Sequence, residues 1–229
     1  MSWIEEKKKV RIEKQKIVSI GTSNRHVHLT KESMIELFGT DELTIFKELS
    51  QPGQFATKET VELIWPEKIA GNLDSRPIIK WVRIIWPARP ADQIELSMTD
   101  ARALWIKNVP IRLSGVLSET PWIIIKWPKW QIEAKNWVII SQKHIHITPF
   151  MAKDRGINND DMIIVWVESW IRSWLMTNVV VRVSDSAWLD IHIDTDEWNA
   201  FWLSPDSKWV VLLSNEEILE FIKNNCTSK

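Results

Sequence analysis

The sequence predicts a mainly β protein, of barrel or sandwich type, built as two related halves. Three observations predict it. Short runs rich in β-branched residues recur along most of the chain, among them "TVELIW", "QIELSM", "WVIIS", "DMIIVWV" and "NVVVRVS". Runs of this length with turn residues between them are strands, and strands this frequent belong to barrels or sandwiches. Helical patterns are confined to short pieces. Finally, "SNRHVHLT" at 23–30 returns as "SQKHIHIT" at 141–148, with Ser, both His and Thr identical and the aliphatic positions matched. Self-similarity of that quality implies a repeat.

Residues 1–15, "MSWIEEKKKVRIEKQ", form a charged extension with a thin apolar face (Trp3, Ile4, Val10, Ile12), expected to be a solvated tail rather than a docking peptide. The strand runs then follow from "KIVSIG" through "IIKWVRIIW", "VPIRL", "WIIIKW", "LDIHID" and "WVVLLS". Thr30 is placed to cap "KESMIELF" with Gly39 closing it. Thr148, with Pro149 in the first helical position, is placed to cap "PFMAKDR" with Gly156 closing it. "TDARALW" and the C-terminal "NEEILEFIKNN" are further helical pieces. Each copy of the histidine motif is thus followed by a short helix ending in glycine.

Composition excludes several classes. With 29 Lys+Arg against 30 Asp+Glu, no overall field attracts nucleic acid or an acidic membrane. No apolar run approaches the roughly 18 residues of a membrane span, and the N-terminus is too charged for a secretory signal. A cytoplasmic protein, or one enclosed in a compartment reached from the cytoplasm, is expected. The single cysteine, Cys226, forms no internal disulfide and has no surroundings that would activate it.

One total is abnormal. The chain has 16 Trp, 6 Gly and no Tyr, where average usage of about 7% predicts roughly 16 Gly. The tryptophans stand next to proline or among polar residues, as in "LIWPEK", "IIWPAR", "IKWPKW" and "VESWIRSW", where a strand should turn and glycine is wanted. The pattern is that of a gene from a lineage that reads UGA as glycine, translated with UGA as tryptophan; a naturally Trp-rich chain is the alternative.

The histidines carry the chemistry. On a strand, side chains alternate faces, so His26 and His28 point the same way, where one Zn²⁺ can meet both. His144 and His146 repeat the arrangement. A lone His-x-His is weak grounds for a metal; two aligned copies are stronger. The fifth histidine, His192, lies in "LDIHIDTDE", where strand alternation puts Asp194 and Asp196 on its face. As an isolated residue it reads as a polar side chain on a solvated strand. Yet all five histidines fall in three strand motifs, which favours ligands. A catalytic zinc takes three protein ligands and keeps one open position, so five histidines complete two such sites only with a carboxylate. Glu95, between Ile94 and Leu96, is one candidate among a dozen acids.

"GTSNRHVHLT", "LSQPGQFATKETV", "RIIWPARPADQIELSMTDA", "IISQKHIHITP" and "VRVSDSAWLDIHIDTDEWNA" together resemble the phosphate propanoyltransferases of the PduL type. These are phosphotransacylases associated with bacterial microcompartments and acetate metabolism, and the resemblance covers residues 17–213. It implies two closely associated β-barrel domains related by an internal repeat and capped by short α-helices, with two metal ions, usually zinc, at their junction. On this reading 1–15 is an extension, 25–143 one barrel, 16–24 plus 144–213 the other, and 214–229 a C-terminal helix or tail. Carried over by motif, His26, His28 and Glu95 hold one ion, and His144, His146 and His192 the other. Arg89, in "PAR", matches the phosphate-binding arginine. Arg25 and Lys143, before each histidine pair, are weaker candidates that add positive potential for phosphate groups or else are solvated charges. The family has glycine where this chain has Trp65, Trp86, Trp127 and Trp137, a departure that supports the reading of UGA as glycine.

The implied reaction converts a short-chain acyl-CoA, propionyl- or acetyl-CoA, and phosphate to acyl phosphate and coenzyme A, reversibly. Its implied partners are those substrates, a second copy of the chain, and a microcompartment shell or an acetate or propionate kinase. Asp194 or Asp196 is placed to orient a ligating histidine, or else to cap the following turn. Two other readings use the same residues: a zinc-dependent hydrolase with a metal-bound water, and a protein in which the metals only staple the fold.

Overall fold

A computed structural model describes residues 18–66, 76–127, 130–134, 137–168, 174–204, 208–212, 219 and 223. The charged extension at 1–15 and most of the helix or tail expected at 214–229 lie outside them. In chain order the strands are β1 (Ser19–Ser23), β2 (His26–His28), β3 (Ile45–Glu48), β4 (Phe55–Ile64), β5 (Ile78–Trp86), β6 (Gln93–Leu96), β7 (Ile111–Arg112) and β8 (Ile123–Lys126). They continue as β9 (Gln131–Ala134), β10 (Val138–Ser141), β11 (His144–Ile147), β12 (Met162–Glu168), β13 (Trp174–Val183), β14 (Asp190–Asp194) and β15 (Lys208–Leu212). The helices are α1 (Lys31–Phe38), α2 (Met98–Ala103), α3 (Pro149–Arg155) and α4 (Thr195–Ala200).

The protein is mainly β, as expected. Its described strands form two sheets, one of six strands in the order β1-β14-β11-β13-β12-β15 and one of nine in the order β7-β10-β6-β2-β5-β4-β8-β9 with β3 beside β4. Each order runs from one end strand to another, so the described pairing is that of curled open sheets and does not by itself close two barrels. The chain divides into two compact units. One comprises the described residues of Met1–Gly21, Lys143–His192 and Glu197–Lys229, the other those of Thr22–Gln142 and Ile193–Asp196. The strands that lead into the histidine motifs trade places: β1, just before β2, pairs with β14, while β10, just before β11, pairs with β6.

Alternation explains how these strands serve a core and a site together. In β2, Val27 is fully buried between His26 and His28; in β6, Ile94 and Leu96 are buried and alternate with Gln93 and Glu95. In β11 the buried Ile145 and Ile147 alternate with His144 and His146, and in β14 Ile191 and Ile193 alternate with Asp190, His192 and Asp194. One face of each strand therefore supplies aliphatic packing, and the other is free to carry donors. Around β2 and β6 the core is completed by Val61, Leu63, Val82, Ile84, Ile123, Ile125 and by Met34 and Leu37 of α1.

Both motif helices are capped as the sequence suggests. The Thr30 hydroxyl accepts from Ser33 N and Gly39 closes α1 at φ 79°. The Thr148 hydroxyl accepts from Met151 N, Pro149 opens α3, and Gly156 closes it at φ 66°. Only a residue without Cβ takes that backbone freely. The entry to α1 has a further tie that sequence reading missed. Asp92, 1% exposed, accepts from Thr30 N at 2.6 Å and from the Ser33 hydroxyl at 2.5 Å. It thereby holds the loop after β5 against the helix that follows the first histidine pair. Replacing Asp92 with Ala leaves two half-buried donors, Thr30 N and the Ser33 hydroxyl, without that carboxylate. We expect it to cost about 2–3 kcal/mol of stability, read as a lower midpoint in urea denaturation with unchanged slope.

Candidate metal centres

The first cluster is assembled by sheet register. β2 lies antiparallel to β6 with His26 opposite Glu95, Val27 opposite Ile94 and His28 opposite Gln93. His26, His28 and Glu95 consequently share one face, their donor atoms all within 4.8 Å of one another. The two Nε2 atoms are 3.2 Å apart, and Glu95 Oε1 is 3.6 Å from His26 Nε2 and 3.5 Å from His28 Nε2. Tautomers follow from the other ring nitrogens. His26 Nδ1 faces Asn24 O at 2.7 Å and His28 Nδ1 faces Ile85 O at 3.2 Å. A carbonyl only accepts, so each Nδ1 carries a proton, and each ring when neutral directs its Nε2 lone pair into the cluster.

Glu95 is held from behind. The Ser141 hydroxyl donates to its Oε2 at 2.6 Å, and Gln93 Nε2 donates to its Oε1 at 2.5 Å. Gln93 is itself fixed, accepting from Gly115 N at 2.6 Å and lying 2.8 Å from the Ser114 hydroxyl. Burial, the largest influence on Glu95, favours its neutral form, but the charge and hydrogen bonds of His26 and His28 outweigh it and hold the carboxyl well below the usual range. Burial also works to lower His26, where Glu95 prevails and raises it; in His28 burial prevails and the ring is pushed down.

The second cluster repeats this construction in the other sheet. β11 lies antiparallel to β14 with His144 opposite His192 and His146 opposite Asp190. β2 has β5 as its parallel neighbour and β11 has β13. Thus Glu95 and His192 occupy the same place, across from the first histidine of each pair. His144, His146 and His192 have donor atoms within 4.8 Å of one another. The Nε2 atoms of His144 and His146 are 3.2 Å apart, and the His192 ring centre lies 5.3 and 5.0 Å from theirs. Burial, then His144 and His192, push His146 down to about 3, so it is neutral and its lone pair is available at neutral pH.

These donor sets fit a zinc-like cation. Around a tetrahedral zinc with Zn–N near 2.0–2.1 Å, neighbouring donors lie about 3.3 Å apart, close to the 3.2 Å between paired Nε2 atoms. Two imidazole lone pairs facing each other at that distance repel unless a proton or a cation lies between them. Around a tetrahedral ion, three donors per cluster would leave a fourth position open.

The remaining expected residues are placed as follows. Arg89 follows β5; its backbone N donates to Leu29 O at 2.9 Å. Its guanidinium charge is the smallest of the influences on His26 and His28 and opposes the protonation of both, which puts it within electrostatic reach of the first cluster. Arg25 pairs with Asp100 at 3.0 Å, and Lys143 with Glu197 at 2.9 Å. Each acid lies five residues beyond the third donor of its cluster. The carboxylate behind His192 is Asp190, which sequence reading did not name: its Oδ2 is 3.0 Å from His192 Nε2 and it is 1% exposed. Asp196, expected on the His192 face, instead accepts from Thr99 N at 2.8 Å. The strand ends at Asp194 and helix α4 starts at Thr195, which breaks the alternation before Asp196 is reached. Ser141 and Gln93 were also missed as supports of Glu95: Ser141 opens the repeated motif but was given no role there, and Gln93 carries no motif of its own. Among the described residues no helix is long and apolar enough to cross a membrane.

A family model described as phosphate propanoyltransferase matches residues 19–204. A phosphate propanoyltransferase of Thermotoga maritima is 40% identical over 194 residues, covering 84% of this chain and 88% of the relative. One of Salmonella typhimurium is 40% identical over 187 residues, covering 82% and 84%. One of Klebsiella pneumoniae is 36% identical over 201 residues, covering 88% and 91%. Matches of this extent, over a chain whose clustered histidines lie inside the matched span, make it an acyltransferase that belongs to the phosphate propanoyltransferase family.

Proposed function

We propose that the protein transfers a short acyl group between coenzyme A and inorganic phosphate, giving acyl phosphate and CoA reversibly, with propionyl- and acetyl-CoA as acyl donors. The observation that carries this reading is the pair of three-donor clusters, one with Arg89 beside it, in a chain of this family. We further read the two clusters and their following helices as a duplicated unit, and His26, His28, Glu95, His144, His146 and His192 as ligands of two zinc ions. Bound there, zinc supplies Lewis acidity toward a thioester carbonyl and a soft seat for a thiolate.

The chain's own residues then have defined tasks. Arg89 offers a planar fork of donors that matches two phosphate oxygens and orients the phosphate for attack on the thioester carbon. As the new C–O bond forms and the C–S bond breaks, the acyl group passes to phosphate and CoA leaves as thiolate. Ser141 and Gln93 keep Glu95 in place, and the backbone carbonyls of Asn24 and Ile85 keep His26 and His28 in the tautomer that presents Nε2. No protein nucleophile is needed. Arg25 and Lys143 have carboxylate partners, Asp100 and Glu197, that offset their charge. Membership in an acyltransferase family favours this reading over hydrolysis.

Release of free thiol from propionyl- and acetyl-CoA, followed with and without phosphate, tests it. Thiol release that requires phosphate and yields acyl phosphate supports acyl transfer; release at the same rate without phosphate would mean a hydrolase. Arg89→Ala is expected to lower kcat/KM by about 100-fold or more, with a steep loss of phosphate saturation and an unchanged melting temperature. His144→Ala should lower activity at least as far while reducing bound zinc from two ions per chain to one. Full activity in both variants sinks the proposed site.

A further inference from the structure

Resting on the reading of His192 as a ligand, we infer that Gly21 and Asp190 form a clamp that sets the position of its ring. A Cβ built on Gly21 would lie 2.8 Å from His192 Cδ2 and 2.9 Å from Nε2, closer than any side-chain carbon sits to a neighbour. Gly21 is not among the residues with positive φ, so its backbone is one that alanine adopts without strain. The absence of a side chain is needed here for space alone. The ring cannot simply swing away, because Nε2 is held 3.0 Å from the buried Asp190 carboxylate. β1 backbone and Asp190 both close on the Nε2 edge of the ring and so limit where the imidazole sits in its cluster with His144 and His146. The first cluster reaches the same end differently, with backbone carbonyls behind its histidines.

Equilibrium zinc binding against a competing chelator tests the clamp in the full-length chain. The wild type should bind two ions, and His192→Ala should lose one, which establishes the underlying reading. Gly21→Ala and Asp190→Asn should each weaken the same ion by about 10- to 100-fold while leaving the ion at His26, His28 and Glu95 unchanged. Cobalt(II) absorption should show the altered geometry at one centre only. If Gly21→Ala and Asp190→Asn hold both ions as tightly as the wild type while His192→Ala loses one, the clamp is wrong and the ligand reading stands. If His192→Ala also keeps both, the ligand reading itself falls.

A separate observation concerns the tryptophans. Trp105 has φ 61° and Trp202 has φ 51°, and each closes a helix. After α2, Trp105 N donates to Arg102 O and Ile106 N to Ala101 O; after α4, Trp202 N donates to Asn199 O and Leu203 N to Trp198 O. This is the bonding of a Schellman cap, whose left-handed position is usually glycine. Gly156 fills that position at the end of α3, with Ile157 N donating to Ala152 O. Trp81, φ 62°, sits where β5 shifts register against β4 between Val61 and Leu63, a bulge that favours glycine for the same reason. The three indoles are 80%, 54% and 61% exposed for Trp81, Trp105 and Trp202, so little burial offsets the strained backbone. Trp65, Trp86, Trp127 and Trp137 differ: none has positive φ, and all pack against the core.

We propose that positions 81, 105 and 202 are glycine in the protein its own host makes, encoded by UGA. The gene's codons and the masses of the corresponding peptides from the host decide this. UGA at all three with glycine masses is the expected result, and UGG at any one overturns it. Trp105→Gly and Trp202→Gly should each raise the melting temperature, by roughly 2–4 °C; a fall in both would also overturn the assignment.

Discussion

The candidate site depends on one constraint, the register of an antiparallel strand laid beside each His-x-His strand. Residues directly opposite in such a ladder lie about 4.5–5.5 Å apart at Cα, near enough for one cation to reach both. β6 brings Glu95 opposite His26, and β14 brings His192 opposite His144. A slip of one residue would turn Glu95 toward the aliphatic core and Ile94 or Leu96 toward the histidines. The register is therefore specified twice over. Ile94, Leu96, Val27 and Ile145 must be buried for the sheets to pack, and that requirement alone points the donors the other way.

Fixing the strands does not fix the rings. An imidazole on a strand still rotates, and a carboxylate on two single bonds explores a wide arc. The first cluster removes that freedom with the Asn24 and Ile85 carbonyls, the Ser141 hydroxyl and the Gln93 amide. Ser141 lies on β10, parallel to β6 with Ile139 across from Glu95, so the strand that leads into the second histidine pair braces the third donor of the first. β1, which leads into the first pair, brings Gly21 against His192 in the same manner. Each lead-in strand supports the cluster it does not precede.

The sequence made the histidine pairs, the two capped helices and the mainly β class legible, because each is a local pattern: alternation, a Thr cap, a closing Gly. The third donors were another matter. Nothing local separates Glu95 from other acids; the resemblance supplied it, and only long-range pairing shows why it occupies that place. Asp190 and Asp196 illustrate the limit from the other side. Alternation put Asp194 and Asp196 beside His192 and left Asp190 unnamed, and the helix start at Thr195 breaks the alternation before Asp196. β3 and β9 were missed because "IFKE" and "QIEA" are too short and polar to stand out. Trp105 hid the end of α2, since a glycine there would have marked the stop and a tryptophan does not.

The two clusters are alike in construction and unlike in charge, which follows from a single residue. With Glu95 as third donor, the first contains its own counter-charge, and the carboxylate raises the proton affinity of His26 despite burial. With His192 in that place, the second has no carboxylate among its three donors, and burial, then the neighbouring His144 and His192, drive His146 the opposite way. A divalent cation would leave one net positive charge at the first cluster and two at the second. The Asp190 carboxylate lies behind His192, outside the group of close donors, so it tempers that excess from a distance and does not cancel it. An anionic oxygen or sulfur seeking the fourth position therefore meets two different fields, and Arg89 stands beside the weaker one. In this arrangement the arginine restores, next to the cluster that holds Glu95, the positive potential that the carboxylate removes.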